Sequence, residues 1–168
     1  MSPSRRSDRT NQQRRNSSKS LLSRAIALLA RRDHSRAELS RKLARHLGEG
    51  DDPAELVRVL DELDRNQLLS DERFAAAVVR SRSQRFGDAR IRHDLRRYGV
   101  ADEVSAVTLA TLGGSEVSRA HAVRAKRFTA LPTSAAERAK QARFLQSRGF
   151  SLHSILRVLR GEANEDGS

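Results

Sequence analysis

Leu95-Arg96-Arg97-Tyr98-Gly99-Val100 returns further along the chain as Leu145-Gln146-Ser147-Arg148-Gly149-Phe150. Each stretch runs from a leucine through polar residues to a glycine and then an apolar residue. That is how a helix ends when its last turn stops on a residue with positive φ. Leu43 holds the matching place earlier in the chain, ahead of a longer loop. A recurrence of about fifty residues is the mark of a helical repeat, so these stretches set the reading of everything around them.

Apolar spacing fills in the helices before each stop. Leu22, Ile26 and Leu29 predict a first apolar stripe. Ser35 with Glu38 forms a capping box that opens a second helix, with Leu39 and Leu43 on its buried face. Gly48 to Asp52 breaks the chain. Asp52 and Pro53 then suit the N-cap and first helical positions, and Leu56, Val59, Leu60 and Leu63 follow at amphipathic spacing. Asp71 is expected to cap a helix with the face Phe74, Ala75, Val78 and Val79. Gly87 and Asp88 restart the chain, and Ile91 and Leu95 lead to Gly99. Val104 and Val107 predict a helix before Gly113-Gly114, and Ser115 begins another through Val123 toward Phe128. After the break at Pro132 to Ser134, Ser134 and Glu137 make a second capping box. Ser151 opens a last helix carrying Leu152, Ile155, Leu156 and Leu159. Gln141 departs from the pattern, standing where Leu39 and Ile91 predict an apolar residue.

The reading is all-α: nine helices in three tandem three-helix repeats, over residues 20–69, 70–114 and 115–160, with no convincing strand. Units that small bury little surface alone and more at their junctions, so the expectation is an elongated, curved helical array. Residues 1–19 carry Arg5, Arg6, Arg9, Arg14, Arg15 and Lys19 against Asp8 and read as a disordered basic tail. Residues 161–168 read as an acidic disordered tail.

The chain has 168 residues and a formal net charge of +12, most of it in the helical middle. Such a charge favours a polyanionic partner, through counterion release from phosphates. Because the cations are mostly Arg, whose planar fork bonds phosphate and carboxylate equally well, charge does not separate nucleic acid from an acidic protein surface. Cysteine is absent, which excludes disulfides and fits a reducing, cytoplasmic setting. Trp is absent and aromatics make up 4% of residues, which argues against an extended base-stacking platform. No apolar run is long enough to span a bilayer, and no signal peptide is recognised. With no large exposed apolar face evident, a monomer is expected.

Signatures of catalysis are missing. There is no Gly-rich phosphate loop and no GxSxG elbow, and His34, His46, His93, His121 and His153 are scattered without metal-ligand spacing. The expectation is a binding protein, not an enzyme, with no cofactor. What remains is cationic side chains on helices. Arg31, Arg32 and Arg36 cluster at one helix junction; Arg80, Arg82, Arg85, Arg90, Arg92, Arg96 and Arg97 crowd the middle repeat; and Arg124, Lys126, Arg127, Arg143 and Arg148 follow. Any one of these is most simply a solvated helix position. Between Arg80 and Arg97, however, the only acids are Asp88 and Asp94, and soluble helices usually mix signs. That imbalance predicts a docking face, to be tested by reversing charge at Arg92 and Arg96 together.

Three phrases carry a resemblance: Ala27-Leu28-Leu29-Ala30-Arg31-Arg32-Asp33-His34-Ser35-Arg36-Ala37-Glu38-Leu39, Leu68-Leu69-Ser70-Asp71-Glu72-Arg73-Phe74-Ala75, and Arg143-Phe144-Leu145-Gln146-Ser147-Arg148-Gly149-Phe150-Ser151. In order and spacing the chain resembles the RecX family of bacterial recombination regulators over roughly residues 20–160. Ser70 stands where that family often has Asp, and its aromatic–glycine pair is here Phe86-Gly87. The resemblance implies three tandem three-helix repeats and a partner, the RecA recombinase filament on DNA. The implied activity is to lower the filament's ATP hydrolysis, strand exchange and coprotease action in DNA repair and the SOS response. Single- and double-stranded DNA would be bound without sequence preference. Without the resemblance, a helix-turn-helix-like nucleic-acid module stands nearly level with a recombinase regulator.

Overall fold

The computed structural model describes residues 20–48 and 52–162. The basic tail expected over residues 1–19 lies outside them, as does the acidic tail from residue 163 onward. Among the described residues there are nine helices and no strand. They are α1 (residues 20–29), α2 (Arg36–Ala44), α3 (Pro53–Arg65), α4 (Asp71–Arg82), α5 (Asp88–Arg97), α6 (Asp102–Ala110), α7 (Glu116–Ala125), α8 (Ala135–Gln146) and α9 (Leu152–Leu159). The described residues separate into two compact units, one running up to Phe74 with Tyr98–Val100 added, the other Ala75–Arg97 with the residues from Ala101 onward.

In the first unit Leu39 and Leu43 of α2 meet Leu56, Val59, Leu60 and Leu63 of α3, with Leu21 and Ala25 of α1 and Leu69 closing the core. The stripe expected on α1 is displaced. Leu21 and Ala25 are buried, Leu22 and Leu29 only partly, and Ile26 is 47% exposed. Two stripes one residue apart satisfy helical spacing equally, and packing on α2 and α3 selects between them. Ser35 caps α2 by accepting from the Glu38 N–H at 3.1 Å, and Asp52 caps α3 by accepting from the Ala54 N–H at 2.9 Å. At α4 the capping atom is Ser70 Oγ, which accepts from the Arg73 N–H at 3.1 Å, in place of the expected Asp71. Asp71 Oδ1 instead accepts the Arg36 N–H at 2.8 Å, one of the first-turn donors of α2 that lack an intrahelical partner. Tyr98-Gly99-Val100 also belongs to this unit. The Ser35 hydroxyl donates to the Tyr98 carbonyl at 2.5 Å, and the Tyr98 ring meets Phe74 edge-on at 5.1 Å.

The second unit is built on Val117, Ala120 and Val123 of α7, Leu145 of α8, Phe150, and Ile155, Val158 and Leu159 of α9. Here too two expected stripes are corrected. Leu152 is 70% and Leu156 43% exposed on α9, and Val107 is 66% exposed on α6, where Ser105 and Leu109 are the buried residues. Turns and helix ends fix the frame. The Gly87 N–H donates to the Arg148 carbonyl at 3.0 Å and the Ala89 N–H to the Gly149 carbonyl at 3.2 Å. Glu116, at the start of α7, accepts from the Asp88 N–H at 3.0 Å and from the hydroxyls of Ser151 and Ser154 at 2.5 and 2.7 Å. One carboxylate thus joins the first turns of α5, α7 and α9. Burial alone would push its pKa up, but these hydrogen bonds hold it below the ordinary carboxylate value. Gly161 and Glu162, assigned from sequence to the acidic tail, close α9 instead, and Arg157 Nε donates to Glu162 at 2.6 Å.

Candidate functional site

The candidate cations sort by what surrounds them. In the first unit Arg31 is exposed, whereas Arg32 donates to both oxygens of Glu38, at 3.1 and 2.5 Å. Lys42 Nζ lies 3.1 Å from the same carboxylate. Burial alone would push Glu38 up, but its hydrogen bonds from Arg32 and Lys42 hold it below its usual value. Burial pushes the adjacent His34 imidazole down: it lies at 2.9 Å from the Arg32 carbonyl through Nδ1 and at 2.8 Å from Lys42 through Nε2. Arg36 pairs with Asp61.

The run from Arg80 to Arg97 is less unbalanced in space than in sequence. Asp94 is buried and pairs with Arg82, with Arg90 Nε 3.6 Å away. Arg92 lies 3.8 Å from Asp88, which also takes Arg119 at 2.6 Å. Arg96 forms a bidentate pair, at 2.7 and 3.1 Å, with Asp102 of the following helix. Arg80 and Arg97 are exposed on α4 and α5. Arg124 leaves the set of available cations. It is 4% exposed and its guanidinium points inward, donating to Gln141 Oε1 at 2.7 Å and to the Ala130 carbonyl. A cation needs such partners when buried. The polar residue that breaks the repeat pattern on α8 supplies one.

Arg85, Lys126, Arg127 and Arg148 do come together. With Gln84, Val123 and Phe144 they line a groove of about 260 Å³ in the second unit, and no carboxylate is among its lining residues. The turns after α4, α7 and α8 deliver them. The Arg148 guanidinium carbon stands 3.8 Å from the Phe144 ring centroid, the spacing of a stacked pair. Phe128 meets Phe144 edge-on, with ring centroids 5.2 Å apart. Arg85 lies against Phe86 and Arg127 against Phe128, at 5.6 and 6.0 Å. Arg143 is exposed on α8 outside this groove. Sequence reasoning named the four cations without grouping them and passed over Phe144 and Gln84. The usable signal was the spacing of Phe144 and Arg148, which sets a ring on the last turn of α8 four residues before a guanidinium in the turn that follows.

The family model of the RecX second three-helix domain matches residues 70–109, and that of the RecX third three-helix domain matches residues 115–159. A protein named Regulatory protein RecX in Leptothrix cholodnii is 47% identical over 141 residues, covering 84% of this chain and 88% of that protein. One of the same name in Ralstonia nicotianae is 44% identical over 142 residues, covering 84% and 87%. The crystal structure of RecX from Lactobacillus salivarius is similar in fold, with a TM-score of 0.75 at 17% identity, covering 88% of this chain and 97% of that one. No helix of the described residues is long and apolar enough to cross a membrane.

Proposed function

The chain belongs to the RecX family of regulatory proteins, and from that premise we propose that it docks on the RecA–DNA filament and lowers its ATPase, strand-exchange and coprotease activities. It would do so in the cytoplasm, as a monomer and without catalysing a reaction of its own. The observation that carries this reading is the groove at Arg85, Lys126, Arg127 and Arg148, where four cations line one cavity without a carboxylate among its described lining residues. An internally paired cation must give up its partner to bind another anion. An unpaired one gives up only water and mobile ions, so unpaired cations are where a polyanionic filament gains most. Arg80 and Arg143, exposed in the same unit, extend the cationic surface. Arg31 is the exposed counterpart in the first unit, and Arg32, Arg36, Arg82, Arg90, Arg92 and Arg96 each have a carboxylate within 4 Å.

The test is the single-strand-DNA-dependent ATPase of the cognate recombinase, titrated with this protein at fixed saturating DNA. A strong fall at protein levels far below the DNA phosphate concentration is expected, because action on the filament does not require covering the DNA. A fall only once DNA is stoichiometrically covered would contradict the reading and favour a plain nucleic-acid-binding module.

A further inference from the structure

The groove beside Arg148 has more in it than charge. Cations at helix C-termini are ordinarily explained by the helix dipole, and Arg85, Lys126 and Arg148 each follow a helix end. The dipole gives no reason for the ends of α4, α7 and α8 to share one groove, nor for a flat apolar floor between them. That floor consists of Val123 and Phe144, and the plane of Phe144 is carried outward by the guanidinium at 3.8 Å. Phe128, edge-on at 89°, braces the ring from its side. A guanidinium backed by an aromatic ring is itself a stacking platform, because its second face is free of hydrogen-bond donors. At about 260 Å³ the groove lies just under the usual range for drug-sized ligands and suits one flat ring.

We propose that this groove is a seat for one unpaired nucleotide of single-stranded DNA. The base lies on the Arg148 guanidinium, Phe144 supports it from below, and the flanking phosphates meet Arg85, Lys126 and Arg127. Gln84 offers an amide, both donor and acceptor, to the base edge. An acidic peptide would satisfy the cations but has no need of the platform. A duplex keeps its base faces stacked and presents only phosphates here. The seat therefore distinguishes unpaired from paired DNA, although the chain is poor in aromatic residues. This deepens the filament reading and takes its biological setting from it.

The test uses the full chain without recombinase. Because the protein has no Trp, the emission of a 2-aminopurine placed in an oligothymidylate is read without tryptophan background. The probes are that oligomer, an abasic oligomer with the same number of phosphates, and polyglutamate as competitor. Expected results are quenching of 2-aminopurine on binding and an affinity for the base-bearing oligomer about tenfold above the abasic one, within the range of one stacked base. Arg148→Lys keeps the charge and removes the plane, so it should bring the two affinities to within about twofold. Phe144→Leu, which keeps a core-facing apolar volume, should do the same. Equal affinity of the wild type for both oligomers, a base preference that survives Arg148→Lys, or displacement by polyglutamate at equal charge would each overturn the proposal. Absence of base preference in the wild type, with recombinase ATPase inhibition intact, removes the nucleotide seat alone. Base preference without inhibition removes the filament reading alone.

Discussion

Arg124 and Gln141 exist as a pair. Gln141 Oε1 takes the Arg124 Nε–H at 2.7 Å, and its amide donates to the Ala130 carbonyl at 3.2 Å. Gln141→Leu would restore the apolar repeat pattern yet strand a buried guanidinium, so unfolding free energy should drop by roughly 1–3 kcal/mol. Adding Arg124→Met removes the stranded charge, and the double variant should be more stable than Gln141→Leu alone. Urea unfolding midpoints of the two variants check this, and equal midpoints would contradict it. His34 gives a second case. Its folded pKa lies below the ordinary 6.5 because it is buried beside Arg32 and Lys42, with Glu38 the acid facing it among the described residues. The unfolded chain therefore takes up the proton first as pH falls, and stability is lost below about 6.5. Melting temperature should fall more steeply between pH 7 and 5 in the wild type than in His34→Gln, and parallel curves would refute the assignment. Both features show what sequence hides at this scale. Gln141 stood out as an exception without its partner in view, and Arg124 looked like any surface cation.

The element scale turns on the crossing of two turns. A Cβ on Gly87 would lie 2.3 Å from the Gly149 carbonyl oxygen and 2.4 Å from Phe150 Cα, both backbone atoms that cannot swing aside. Gly149 has φ of +79° and would bring its own Cβ to 2.6 Å from Arg90. Gly87→Ala should cost about 2 kcal/mol or more, whereas Gly113→Ala, with nothing within 4 Å, should stay within about 0.5 kcal/mol. Thermal unfolding of the two variants separates them, and similar shifts would contradict the packing described. The helix ends were legible because glycine and Ser or Asp caps act locally: Ser35, Asp52, Ser115, Ser134 and Ser151 all cap where the sequence places a helix start. Which side of each helix is buried was less so. Ile26, Val107, Leu152 and Leu156 kept helical spacing but face solvent, because neighbouring stripes are separated only by tertiary packing.

For the molecule as a whole, a net charge of +12 indicates a polyanionic partner without locating its contact surface. Fold class and family were readable because a repeat and three long phrases extend across the chain. The candidate surface was not, because charge compensation is long-range: Asp61 reaches Arg36, and Asp102 reaches back to Arg96 from the next helix. Counting signs between Arg80 and Arg97 singled out Arg92 and Arg96, both of which have carboxylate neighbours. The central claim is that the cations without a carboxylate partner among the described residues, not the most cationic stretch, carry docking. It is tested most directly by titrating recombinase ATPase with two multiple variants beside the wild type, Arg85→Gln with Lys126→Gln and Arg127→Gln, and Arg92→Gln with Arg96→Gln. Inhibition should weaken at least tenfold in the first and change by less than about threefold in the second, in line with the small worth of exposed ion pairs. Full inhibition by the first variant, or loss confined to the second, would contradict the account.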